Sequence, residues 1–311
     1  MRGSASPGFK IPNSRTAGCG IRRSVRRKFL NPVTQALQGW KHAVRTKRVA
    51  FTFPSSRRLG LYYPDFMLSE KPWKIEAVLR LVLALIVSML SGAFLASLLR
   101  GGEQASVPNS VDLTTIVIST MSFHGATVVL VYFFLRYHGL SWSSAFGFNS
   151  PRQAFAVILV LVASFVTVPA TMFLGKLSGL MLEWIQVKPE MQAPVKALRT
   201  ASTAGSQVYL AIMAVAIAPV AEEMLFRGIL YPVIKAAGYP RLALWGTSIL
   251  FGASHLNLAT FLPLTFLALA LTWLYEKTDN LLAPILAHSL FNTANFFLLV
   301  FERQGSLTPA L

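Results

Sequence analysis

Between residues 77 and 301 the chain falls into seven apolar runs, and five of them contain no Asp, Glu, Lys or Arg. They cover about Ala77–Leu99, Leu113–Leu135, Ala154–Phe173, Val208–Ile234, Leu242–His255, Ala259–Tyr275 and Leu281–Phe301. A bilayer core about 30 Å thick needs roughly 20 apolar residues per helix. Most of the runs meet that length, and the fifth is short. Gly175–Ile185 reads either as an extension of the third run or as an interfacial segment. The expectation is an all-α polytopic transmembrane bundle of about seven spans. Composition agrees: charged residues make up 13% of the 311 and hydrophobic ones 54%, where a soluble domain carries about 25% charge. Mean hydropathy is +0.53.

The net charge of +17 is uneven. Residues 1–64 hold 14 of the 29 Lys and Arg and no Asp or Glu. The domain expectation is therefore a basic arm over 1–66, disordered or targeting, followed by a membrane domain over 67–311. The arm lacks a nucleic-acid motif, so no nucleic-acid partner is expected. Val25-Arg-Arg-Lys-Phe-Leu30 has no apolar segment after it and is no export signal. The arm reads as a cytoplasmic tail drawn to anionic lipid, or as residues ahead of a true start at Met67. An organellar transit peptide is the alternative. The lone Cys19 allows no internal disulfide.

Lys and Arg placement sets the expected orientation. The arm, Arg136, Arg152, Arg227, Lys235 and Arg241 point to a cytoplasmic N-terminus, with the acidic loop Gly101–Asp112 outside. Lys176, Lys188, Lys196 and Arg199 dissent. The expected location is a bacterial plasma membrane, or an organellar one if the arm is a transit peptide.

Ionisable groups in a span are costly and tend to be functional. Ala218-Pro-Val-Ala-Glu-Glu-Met-Leu-Phe-Arg-Gly228 carries three. Glu223 and Arg227 are four apart on one helical face, which suits a structural clamp. Glu222 is turned about 100° away and is free to face something else. Two later runs offer partners: Phe251-Gly-Ala-Ser-His255, and His288-Ser-Leu-Phe-Asn292, where His288 and Asn292 share a face. A desolvated carboxylate can serve as general base, and His and Asn donors can hold an oxyanion. His124 belongs to no such pattern and reads as a packed or interfacial histidine. Pro219 and Pro284 read as kinks.

Taken in order, Glu-Glu-x-x-x-Arg, Phe-x-x-x-His and His-x-x-x-Asn resemble the CPBP family of intramembrane proteases. That group contains the type II CAAX prenyl endopeptidases and bacteriocin-processing relatives, and the resemblance covers about Gln207–Phe301. It implies a peptide-bond hydrolase in which Glu222 activates water with His255 as partner. His288 and Asn292 would form the oxyanion site, and Glu223 with Arg227 would support it. It implies lipid bilayer and a peptide or membrane-protein substrate as partners. No cofactor is expected, although Glu222, His255 and His288 would be the candidates for a divalent metal such as zinc. Two rival classes are a proton-coupled secondary transporter using Glu222 and His255 as a relay, and a non-catalytic immunity or scaffold protein of the same fold.

Overall fold

The computed structural model describes residues 68–99, 113–149, 153–201 and 203–305. The basic arm, the start at Met67, Arg152 and the loop Gly101–Asp112 lie outside the described residues. Described secondary structure is helical throughout, with α1 at Ile75–Leu99, α2 at Leu113–His138 and α3 at Trp142–Phe146. There follow α4 at Gln153–Trp184, α5 at Ala193–Thr200, α6 at Ala204–Ala236, α7 at Pro240–Ser254, α8 at Leu258–Thr278 and α9 at Leu282–Gly305.

Six helices are long and apolar enough to cross a bilayer: α1, α2, α4, α6, α8, and α9 over Leu282–Glu302. The sequence expectation of about seven differs in one place. The fifth run forms α7, whose 15 residues span about 22 Å at 1.5 Å per residue, short of the hydrocarbon core. Gly175–Ile185 resolves the other way, because α4 continues to Trp184.

The outer helices bury one stripe and leave the rest apolar and exposed. In α1 the stripe is Ala77, Val78, Leu81, Leu85, Gly92 and Ala96, while Leu79, Leu83, Leu90 and Phe94 face outward. In water that face would be a severe liability; in lipid it is the proper surface. The chain is an integral membrane protein. The middle of α6 differs, with every residue from Ala221 to Ile229 buried. A stretch buried on all sides lies inside the bundle, and this one carries Glu222, Glu223 and Arg227.

Two glycines set close approaches around that centre. A Cβ on Gly92 would overlap the Ser122 hydroxyl, so the missing side chain lets α1 and α2 touch. Gly147 ends α3 in the left-handed region, at φ 74°, and a Cβ there would overlap the Asp279 carbonyl oxygen. Leu281 N–H donates to the Phe146 carbonyl at 2.9 Å, and Lys71 pairs with Asp279 at 3.1 Å. The segment before α1, α3 and the α8–α9 turn therefore close one end of the bundle.

Three wide turns interrupt the α-helical register: Met121–Gly125 in α2, and Met213–Ile217 and Met224–Leu230 in α6. In each, an N–H reaches the carbonyl five residues back: Ala126 to Met121, Ala218 to Met213 and Tyr231 to Phe226. Such π turns re-aim side chains and occur frequently at functional sites.

Candidate active site

Glu222 and Glu223 leave α6 in different directions, as their spacing predicts. Glu223 is fully buried. Its Oε1 accepts from Arg227 Nη1 at 2.8 Å and from His288 Nδ1 at 2.9 Å. Arg227 is equally buried and donates through Nη2 to the Ala268 carbonyl at 2.9 Å and through Nε to Thr272 Oγ1 at 3.4 Å. Its guanidinium sits 4.7 Å from the Phe251 ring centre. Further hydrogen bonds help hold a buried pair of this kind, and Arg227 has four partners, Glu223 on α6, the Phe251 ring on α7, and Ala268 and Thr272 on α8. The residue therefore carries no orientation signal, and its use as a cytoplasmic flanking charge in the sequence reading is corrected.

Glu222 faces a different set of groups. Its Oε1 lies 3.3 Å from His124 Nε2, and its Oε2 lies 3.9 Å from His288 Nε2. His288 thus stands between the two glutamates. Glu223, paired with Arg227, accepts only, so the proton on the facing side of the ring belongs on His288 Nδ1. Nε2 is left turned toward Glu222.

His255 follows the last residue of α7 and is half-buried. Its Nδ1 donates to the Phe251 carbonyl at 2.8 Å, which leaves Nε2 as the lone-pair nitrogen of the neutral ring. The Phe251 ring lies between two imidazoles, with centroids 5.1 Å from His255 and 5.7 Å from His288. Gly252 explains how α7 comes this near α8: a Cβ there would sit 2.8 Å from the Phe261 carbonyl oxygen.

Asn292 lies one turn along α9 from His288 and donates from Nδ2 to the Ala214 carbonyl at 2.7 Å. That carbonyl is orphaned for a reason visible in the chain. The Ala218 N–H turns to Met213, and the next donor in π register would be residue 219, a proline without an N–H. Asn292 fills the place. Replacing Asn292 by Leu is therefore expected to destabilise the fold by about 1 kcal/mol, near the lower end of the cost of leaving a partly buried carbonyl unpaired. A thermal melt in detergent measures it. Adding Pro219→Ala, which restores the N–H, should recover part of the loss; an unchanged melt of the single variant would refute this account.

His124 is where the sequence reading needs correction. The sequence pattern places it in packing or at an interface, yet its ring contacts the Glu222 carboxylate. The π turn at Met121–Gly125 gives it that aim, and no hydropathy pattern announces such a turn. The available signal was simpler: an ionisable residue inside a span is a functional candidate by default.

Among the described residues, no group of three or more His, Cys, Asp or Glu is arranged to hold a metal ion.

Residues 204–294 match the family model of the Type II CAAX prenyl endopeptidase Rce1-like proteins. The match takes in α6, α7, α8 and the first half of α9, and with them all three motifs. This match agrees with the resemblance to the CPBP intramembrane proteases carried by those motifs. The matched segment is less than a third of the chain, and His124 on α2 lies outside it. No curated protein and no solved structure gives a significant match.

Proposed function

We propose that this protein is an intramembrane endopeptidase in which Glu222 activates water for attack on a peptide bond. The observation that carries the reading is a buried carboxylate set between the imidazoles of His124 and His288, on a segment matching a family of endopeptidases. A structural ion pair would need no such surroundings, and Glu223 with Arg227 already supplies one.

The chemistry follows from these positions. The Glu222 carboxylate takes a proton from a water molecule as its oxygen bonds to the peptide carbonyl carbon. The carbonyl π electrons move onto oxygen, and donors are needed there in the transition state. With Nδ1–H committed to Glu223, His288 Nε2 donates when the ring carries its second proton. The second Asn292 N–H, the one not spent on Ala214, is the other donor. His255, with its Nε2 lone pair, accepts a hydrogen bond from the attacking water and orients it. The C–N bond then breaks, and the proton held by Glu222 passes to the leaving amine. Acid and base roles fall to one carboxylate in turn, and it ends the cycle ionised.

The substrate is a peptide or membrane protein that reaches the site laterally or from the membrane face. A prenylated C-terminal peptide fits the matched family's description, and a small unmodified peptide or membrane-protein segment fits a bacterial setting. The expected orientation is with the closed end at Lys71, Lys74, Arg136 and Lys235 toward the cytoplasm. Comparative analysis of new peptide termini in membranes with and without the protein tests the reading. Termini that depend on the chain and disappear in the Glu222→Gln variant are expected. No difference among the three membranes, combined with pH-dependent solute uptake, would favour a transporter instead.

A further inference from the structure

His124 has no counterpart in the three motifs, yet of the described side chains it alone hydrogen-bonds to Glu222. Its placement rests on several independent features. The π turn displaces it from the register of α2. Gly92 admits Ser122 against α1, and the Ser122 hydroxyl donates to the Ile118 carbonyl at 2.6 Å, which fixes the start of that turn. The Phe123 ring packs edge-on against the imidazole at 4.9 Å between centroids.

The ring's own hydrogen bonds identify its proton. Nε2 faces a carboxylate oxygen, which accepts. Nδ1 is buried and has no hydrogen-bond partner among the described residues. A proton on Nδ1 would be a buried donor with nothing to receive it, which is costly. The neutral tautomer with hydrogen on Nε2 gives its donor to the carboxylate and leaves only a lone pair unpartnered at Nδ1. An imidazolium would place an unpartnered N–H there instead.

We infer that His124 is a positioning residue for peptide hydrolysis: its Nε2–H holds Glu222 Oε1, so that Oε2, on the His288 side, is the oxygen that takes the proton from water. The inference rests on Glu222 being the base. It assigns His124 a fixed donor role and no share in carrying protons; the other ionisable side chains facing Glu222 are His288 on α9 and His255 at the end of α7.

Glutamine separates the two roles. Its side-chain amide N–H reaches about as far as Nε2–H and donates, but it does not titrate. The test uses the purified full chain in proteoliposomes with a quenched-fluorescent peptide ending in a farnesylated CAAX sequence. A peptide from the terminus comparison serves equally. For His124→Ala, kcat is expected to fall about 10- to 100-fold, the usual effect of losing an orienting partner, with KM changed less than about threefold. For His124→Gln, kcat should return to within a few-fold of the parent, and the pH–rate profile should keep its shape. Thermal melts of both variants check folding, and the Gln variant keeps the interpretation open if Ala unfolds.

An Ala variant with the parent's kcat overturns the inference, as does a Gln variant no better than Ala. Loss of one limb of the pH profile in the Gln variant also overturns it, because the histidine would then be moving protons. Glu222→Gln is measured beside them. If that variant cleaves, the base assignment fails and takes the inference with it. If it is inactive while His124→Ala is fully active, the inference alone fails.

Discussion

Glu222→Gln is expected to lower kcat by roughly 100- to 10,000-fold, the range for losing a general base, while the protein folds and inserts as before. The substitution is close to isosteric. The amide oxygen can still accept from His124, as Glu222 Oε1 does at 3.3 Å, and the amide nitrogen falls where Oε2 faces His288 at 3.9 Å. What disappears is the basic lone pair. Binding should be nearly untouched, so KM should change by less than about threefold and the deficit should lie in kcat. Steady-state cleavage with a melting curve on the same preparation decides it. A purified Glu222→Gln protein with ordinary turnover would remove the base from this position.

Glu223→Ala should act first on stability. It deletes the acceptor of both Arg227 and His288. Arg227 would keep the Ala268 carbonyl and the Phe251 ring but would hold a buried, uncompensated charge. Breaking one side of a buried pair costs about 3–5 kcal/mol, which corresponds to a fall of on the order of 10 °C in Tm for a domain of this size. Activity should fall too, because the His288 ring loses the bond that sets its tautomer. The double variant Glu223→Leu with Arg227→Met separates the two losses. Replacing a whole buried pair by apolar groups is often nearly neutral, so most of the stability should return while activity does not. Ordinary yield and melting of Glu223→Ala would contradict the clamp, and an active double variant would contradict the role assigned to His288.

Much of this arrangement could be read from the chain. Apolar runs placed the six long helices because hydrocarbon length is a hard constraint. The 100° offset between Glu222 and Glu223 forecast two separate environments, and the four-residue step forecast the Arg227 pair. The rest depends on facts that hydropathy does not carry. Helix α7 is apolar like its neighbours but, at 15 residues, too short to cross the bilayer. Arg227 resembles a flanking charge in one dimension and lies in the core in three. The bridge from His288 to both glutamates joins α9 to α6 across 65 residues. The aim of His124 depends on a local change of helical register that no residue type signals. Pro219 was legible as a disturbance of α6, but the carbonyl it strands, and the Asn292 that occupies it, needed coordinates.

Helices α6 and α8 run in the same direction and are tied at successive levels. Arg227 reaches Ala268 and Thr272; four residues on, Tyr231 donates to Glu276, and four further on Lys235 meets the same oxygen at 2.6 Å. Sliding either helix along the other would break these polar bonds together, most of them buried. The two helices therefore behave as one beam, and a polypeptide reaching Glu222 must do so without prising them apart.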